Sequence, residues 1–254
     1  MTVPHHRSTP RQVVLDRGAH WRAKLGFVLL ASEQTIEDEV MAMRPTGVGT
    51  HFSRAPMSNS ITVANLDAMA DTLADAASVI IPEAGVDVVC YACTSGSIVL
   101  GEDRVIRELN RGAPKAKATT LVTGVVEALR VLNTRRIVVG TPYLDEINAL
   151  ERDFLQAKDF EVLAIEGLNI RHDSDMVRVP PDYLVEFAKE LDRPDADAIF
   201  LSCGALRTLQ VVETIEHARG KPVIASNQAM MWHCLRLAGI EDRLSGYGAL
   251  FQAA

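Results

Sequence analysis

The chain has 254 residues, a formal net charge of −7 and 48% apolar against 23% charged residues, with a pI near 5.5. An acidic balance with only 5% aromatics gives neither the electrostatic footprint nor the stacking surface of a nucleic-acid-binding protein. No apolar run approaches the roughly 20 residues needed to span a bilayer, and residues 1–23 lack the apolar core of a secretory signal, so a cytoplasmic protein with four free thiols is expected, without membrane or nucleic-acid partners.

Residues 1–23, with scattered Arg and His, read as a mobile polar tail or, alternatively, as an arm that packs on a partner subunit. Leu25–Leu30 is a continuous apolar run, the pattern of a strand buried on both faces. Ser32 or Thr35 can then cap an acidic helix over Ile36–Met43. Val48–Arg54 reads as a second strand, and Asn65–Ile81 as one long amphipathic helix with Leu66, Met69, Leu73 and Ala76 or Ala77 on a common face. Val86–Ala92 is a third strand ending at Cys93. A turn over Thr94–Ser97, a helix to about Leu109, a short strand Ala118–Leu121 and a helix to Leu132 complete the first half. The second half repeats the order: strand Arg136–Gly140, turn Thr141–Tyr143, helix to about Ala157, strand Glu161–Ile165, an irregular stretch over Gly167–Pro181, helix Tyr183–Leu191, strand Ala198–Leu201, helix Leu206–Ala218, strand Val223–Ala225 and helix Gln228–Leu237. Ser245–Phe251 reads as loop.

Alternating strands and helices imply an α/β fold with parallel sheets covered on both faces. Three pairs of segments also resemble one another. Asp87-Val-Val-Cys-Tyr-Ala-Cys93 matches Asp197-Ala-Ile-Phe-Leu-Ser-Cys203 at an offset of 110 residues, and Gly26–Ser32 matches Arg136–Pro142 at the same offset. Ala128–Asn133 matches Cys234–Gly239 at nearly that spacing. A duplicated unit follows: two pseudo-symmetric doubly wound lobes, each with a parallel sheet of about four strands and the active site in the cleft between them. Ligands of such sheets sit at the carboxyl ends of the strands, which is where Cys93 and Cys203 fall. Two thiols facing each other across a substrate could remove a proton from one face and return one to the other.

A single strand-end cysteine is most often structural, and it is the repeat that moves Cys93 and Cys203 to a functional reading. The helix start after Cys93 is expected to favour thiolate. Gly204 would allow a ligand to approach the backbone closely and would offer its N–H to an oxyanion. Arg207 and Thr208 could contact a carboxylate or be solvated. Tyr143 stands at the mouth of the second lobe as a donor or as a packing residue. Cys90 and Cys93 form a Cys-x-x-Cys, but residues three apart on a strand point to opposite faces, and no second ligand pair with zinc-like spacing exists. Cys90 and Cys234 therefore read as core. His51, His172 and His233 have no neighbouring pattern that marks them as acids or bases. Gly-x-Gly-x-x-Gly and P-loop signatures are absent, which argues against NAD and ATP.

Tyr91-Ala-Cys-Thr-Ser-Gly96, Thr141-Pro-Tyr143, Leu201-Ser-Cys-Gly-Ala-Leu-Arg-Thr-Leu209 and Gly246-Tyr-Gly-Ala-Leu-Phe251 resemble the aspartate/glutamate racemase superfamily. Within it they are most similar to the branch of maleate isomerases, arylmalonate decarboxylases and ectoine-utilisation racemase-like proteins. The resemblance runs over residues 24–254 and implies no metal and no organic cofactor. It implies that Cys93 and Cys203 are the catalytic thiols, and that Thr94, Ser95, Tyr143 and Gly204 line a dioxyanion hole around one carboxylate. Decarboxylases of this group carry Gly at the first position, so Cys93 favours isomerase or racemase chemistry, although the Gly-Tyr-Gly-Ala-Leu-Phe ending looks more like the decarboxylase. Glu33 and Asp173 stand where maleate isomerases have Asn. Two acids there disfavour a second substrate carboxylate unless the substrate also carries an amine.

The expected organisation is a first lobe from residues 24–120 plus 224–254, to which the last helix returns as in the superfamily, and a second lobe over 121–223. The expected function is a cofactor-independent racemase or isomerase of a small carboxylic or amino acid, working through an enediolate-type intermediate. The alternatives are a decarboxylase that uses Cys203 as sole proton donor and a non-enzymatic two-lobed carboxylate-binding protein. A homodimer through a helix face is compatible with the sequence.

Overall fold

Strands and helices alternate along residues 10–253, the part of the chain described by the computed structural model. The first half runs β1 (Ala23–Leu30), α1 (Ile36–Ala42), β2 (Val48–Ala55), α2 (Val63–Asp67), α3 (Leu73–Ser78), β3 (Val88–Tyr91), α4 (Thr94–Leu100), α5 (Glu102–Gly112), β4 (Lys117–Thr120) and α6 (Leu121–Val131). The second runs β5 (Arg136–Thr141), α7 (Asp145–Ala157), β6 (Glu161–Gly167), α8 (Asp173–Met176), α9 (Pro181–Leu191), β7 (Ala198–Leu201), α10 (Val212–Arg219), β8 (Val223–Ala225) and α11 (Ser226–Leu237). All pairings are parallel and give two four-stranded sheets, ordered β2-β1-β3-β4 and β6-β5-β7-β8.

The second order is the first shifted by four strands, so the repeat in sequence is a repeat of topology. Its two aspartates have the same job. Asp87 Oδ2 accepts the Lys24 N–H at 2.7 Å, and Asp197 Oδ2 accepts the Arg135 and Arg136 N–H groups at 2.9 and 2.7 Å. Each aspartate thus ties the start of its strand to the start of the neighbouring central strand. Four paired residues later the strand ends, and the cysteine follows.

Burial on both faces explains the unbroken apolar runs of β1, β3, β5 and β7. Val28, Val89 and Tyr91 share one core cluster with Val138, Ile199 and Leu201. Leu25, Phe27 and Cys90 share the other with Ile137, Val139 and Phe200. Both clusters therefore run through both sheets. The halves also meet through α6 and α11, where a Cβ on Gly124 would lie 3.0 Å from the Ala229 carbonyl oxygen. Although α11 follows the last strand of the second sheet, it packs on α6, α1, β3 and β4.

Four local expectations change. The long helix expected over Asn65–Ile81 is α2, a 3-10 turn at Ala70–Thr72 and α3. The Thr72 hydroxyl donates to the Met69 carbonyl at 2.8 Å, a side-chain bond that competes with helix continuation. The bend still buries Leu66, Met69 and Leu73. Thr94–Ser97 is the first turn of α4 and not a loop, because the Cys93 sulfur caps it by accepting the Gly96 N–H at 3.2 Å. Gly101, at φ +78°, separates α4 from α5. Helix does not begin at Leu206: a turn through Cys203–Leu206 leads to a 3-10 turn at Leu209–Val211 before α10. The stretch expected to be irregular over 167–181 contains α8.

The tail of residues 1–23 lies partly outside the described residues, at 1–9. Residues 10–19 are exposed without helix or strand. Anchoring begins earlier than expected. His20 lies over Gly49, where a Cβ would approach the ring to 2.4 Å, and Arg22 donates twice to Asp242, at 2.8 and 2.5 Å. Among the described residues no helix is long and apolar enough to cross a membrane.

One core position is anomalous. Glu151 on α7 is fully buried, and neither carboxyl oxygen has a hydrogen-bond partner among the described residues. Burial raises its pKa from 4.5 to about 7. The folded chain therefore holds the proton more tightly than the unfolded one. The associated stability is complete below about pH 4.5 and is lost as the pH rises through about 7, an effect on the order of 3 kcal/mol. Glu151→Gln keeps the shape and cannot ionise. It is expected to raise Tm by roughly 5–10 °C at pH 8 and to change it little at about pH 4. Thermal melts at both values check this, and the same shift at both would remove ionisation as the cause.

Candidate active site

A small, partly open cavity of about 10 Å³ lies at the carboxyl ends of β3 and β7. Cys93 and Cys203, each two residues past its strand, both line it, and so do Thr94, Ser95, Tyr143, Gly204, Glu33 and Asp173. Leu30 and Ile61 add apolar walls. Among the described residues no Lys, Arg or His lines the cavity.

Cys93 has extended backbone, φ −147°. Its sulfur accepts from Gly96 N–H and lies 3.7 Å from the Ser95 hydroxyl. A side chain on Gly96 would strike the Tyr91 hydroxyl at 2.2 Å, so this glycine lets a fully buried tyrosine pack beneath the thiol's helix. The expectation of a thiolate at Cys93 is overturned. Burial pushes the thiol up to about 11, Asp173 adds to the rise, and the Gly96 and Ser95 donors offset only part of it.

Cys203 is built differently. Its φ is +105°, a left-handed conformation for a residue with a Cβ, and such strain persists only where the surroundings fix it. Here they do so with side chains from two helices. Ser226 Oγ accepts the Cys203 N–H at 2.9 Å and lies 3.0 Å from the Thr94 hydroxyl, linking the two cysteine turns. Asn227 Nδ2 donates to the Gly204 carbonyl at 2.8 Å and to Glu39 at 2.7 Å. The Thr35 hydroxyl donates to the Ala205 carbonyl at 3.0 Å, and Ala205 N–H reaches the Cys203 sulfur at 3.4 Å. Packing also requires glycine at position 204: a Cβ on Gly204 would meet Ile36 at 2.7 Å and Asn227 at 3.0 Å. The Gly204 N–H makes no hydrogen bond among the described residues and remains available to the cavity. Burial, then Asp173, hold the Cys203 thiol well above its ordinary value, with Tyr143 and the Ala205 N–H opposing and Glu33 adding to the rise.

Glu33 and Asp173 are both buried in the cavity wall. Burial raises each pKa, and for Glu33 the neighbouring Asp173 raises it further. Asp173 is placed by a strap from the other half of the chain: its N–H donates to the Asn59 carbonyl at 3.0 Å, and Ile61 N–H donates to the Arg171 carbonyl at 3.0 Å.

The remaining candidates lie elsewhere. Cys90 and Cys234 are buried in the core of the opposite sheet face. His51, His172, His233, Arg207 and Thr208 do not line the cavity; Arg207 donates to the Val179 carbonyl, and Thr208 is buried. Sequence reasoning missed Ser226, Asn227 and Glu39. The polar run Ser226-Asn227-Gln228 directly after a strand was a usable signal. Glu39 looked like one more acid in an acidic helix, and only the fold gives it partners and a pKa of about 7, raised by burial. Among the described residues no cluster of three or more His, Cys, Asp or Glu side chains is arranged to hold a metal ion.

This chain is 32% identical to the arylmalonate decarboxylase of Bordetella bronchiseptica over 197 residues, covering 76% of this chain and 82% of that one. It is 28% identical to a maleate isomerase of Pseudomonas putida over 246 residues, covering 91% and 98%. The fold is that of the Nocardia farcinica maleate cis-trans isomerase, solved as a cysteine-to-serine mutant with a covalently bound succinylcysteine intermediate. The TM-score is 0.82 at 24% identity, covering 91% of this chain and 99% of that one. The family model of arylmalonate decarboxylase matches residues 49–251, and the chain belongs to that family.

Proposed function

We propose that this chain is a cofactor-independent isomerase or racemase of a small carboxylic or amino acid, with Cys93 and Cys203 as its acid–base pair. The observation that carries this reading is the presence of both thiols in the wall of one small cavity. The substrate carboxylate lies against the Thr94 and Ser95 hydroxyls, the Tyr143 phenol and the free Gly204 N–H. Donors fixed there stabilise the enediolate charge that forms when the α-proton leaves, which is the costly part of the reaction. Cys93 is the better base, since backbone and hydroxyl donors face its sulfur and one carboxylate opposes it. Cys203, opposed by two carboxylates, keeps its proton and delivers it to the other face.

In the Nocardia farcinica enzyme a cysteine becomes bonded to a succinyl group. An equivalent step here would add one thiolate to one carbon of a carbon–carbon double bond and leave the electron pair on the other carbon as an enediolate. Rotation about the resulting single bond and expulsion of the same thiolate, with that pair reforming the double bond, would give the other geometric isomer. The decarboxylase reading has the support of the family match. Loss of carbon dioxide from a substituted malonate would leave the same enediolate, protonated by Cys203 alone.

Proton NMR in deuterium oxide with aspartate, glutamate, maleate and phenylmalonate separates these reactions. The isomerase reading expects deuterium at the α-carbon, or cis–trans conversion, reduced by a factor on the order of 10³ or more in both Cys93→Gly and Cys203→Ser. Turnover that is intact in both variants would end it. Carbon dioxide release from phenylmalonate that survives Cys93→Gly and fails in Cys203→Ser would establish the decarboxylase. The high thiol pKa gives a second expectation: kcat/KM should climb by about tenfold per pH unit between roughly pH 7 and 9 as the Cys93 thiolate of the free enzyme accumulates. A plateau below about pH 8 would contradict a base with a pKa of about 11.

A further inference from the structure

Glu33 fills with its own carboxylate the backbone donors that a second substrate carboxylate would need. Its Oε1 accepts N–H from Gln34 at 2.8 Å, Thr35 at 2.6 Å and Ile36 at 3.1 Å. Its Oε2 makes no hydrogen bond among the described residues. Beside it in the cavity wall, Asp173 is 2% exposed and its Oδ2 has no hydrogen-bond partner. The strap through Asn59 and Ile61 holds Asp173 there, so this acid is fixed by the fold and not placed by chance side-chain freedom.

Among the described residues neither carboxylate pairs with a cation. Arg54 touches the same loop, but its guanidinium donates to the Leu30 and Glu33 carbonyls and pairs with Glu37. Buried carboxylates are ordinarily paired or fully hydrogen-bonded, and here a free Oε2 and an orphaned Oδ2 share a small buried space with two thiols. A second carboxylate from a ligand would add like charge to this space. An ammonium would supply the missing counter-charge and three N–H donors for the unpaired oxygens. It would also favour thiolate at either cysteine, since a nearby cation stabilises that form.

We infer that the cavity takes a small amino acid with one carboxylate, its ammonium held between Glu33 and Asp173 and its carboxylate at Thr94, Ser95 and Gly204. This rests on reading the cavity as the reaction site. Diacids without an amine, such as the maleate and malonate type, are then poor ligands for this chain.

The test reads binding separately from turnover. Calorimetric titrations of the full chain would use matched pairs that differ only in the amine: alanine against propionate, and norvaline against valerate. The amino member of at least one pair is expected to bind at least about tenfold more tightly, with that ratio falling to near one in Asp173→Asn and in Glu33→Gln. Succinate should gain affinity in Asp173→Asn. A thermal melt of each variant confirms folding, and the two variants stand in for each other if one fails. Equal or tighter binding of the amine-free acids by the wild type, no detectable binding of either amino acid, or an amine preference unchanged in the folded variants would each overturn the inference. Those results leave the thiol chemistry standing. Turnover indifferent to both cysteine substitutions would instead remove the isomerase reading and leave the amine preference in place.

Discussion

Everything at the cavity depends on where two strands stop. Asp87 and Asp197 lock the starts of β3 and β7 to the backbones of the adjacent central strands. Both strands then run four residues, and both sheets have the same parallel order. The duplicated aspartate is therefore a register device and the duplicated cysteine is its output. A slip of one residue would turn every side chain of the strand to the other face and would exchange Cys93 for a core position of the kind Cys90 occupies.

The two cysteine turns are not equivalent although the strands are. Cys93 continues into a helix in relaxed extended geometry and caps it with its own sulfur. Cys203 carries positive φ, and side chains from α1 and α11 hold its turn in place. Ser226 contacts both turns, so one hydroxyl keeps the two thiols in a fixed relation. Asn227 joins the Cys203 turn to a buried Glu39, and removing one partner of such a network leaves the other buried and unpaired, which is costlier than the bond itself is worth.

The same burial governs the chemistry. A buried cavity wall strengthens every electrostatic contact within it. Burial holds both thiols above their ordinary pKa while they stand beside Glu33 and Asp173.

The alternating apolar runs, the 110-residue repeat and the residues that share the cavity were legible in the sequence. The runs, the repeat and the two cysteines follow from local periodicity and from the rule that parallel sheets present their ligands at strand ends, whereas Thr94, Ser95, Glu33 and Asp173 were read from the family resemblance. The strained φ of Cys203 and the crowding of Gly204 were not legible, because each depends on an element distant in the chain: Ile36 and Asn227 crowd Gly204, and Ser226 holds Cys203. The ionisation of Cys93 was misjudged for the same reason. Its helix cap is local and favours thiolate, whereas its burial and its neighbour Asp173 come from tertiary packing and outweigh the cap. Sequence by itself determined which groups reach the cavity. Only the tertiary structure decided their protonation and their strain, since these depend on burial and on hydrogen bonds from distant elements.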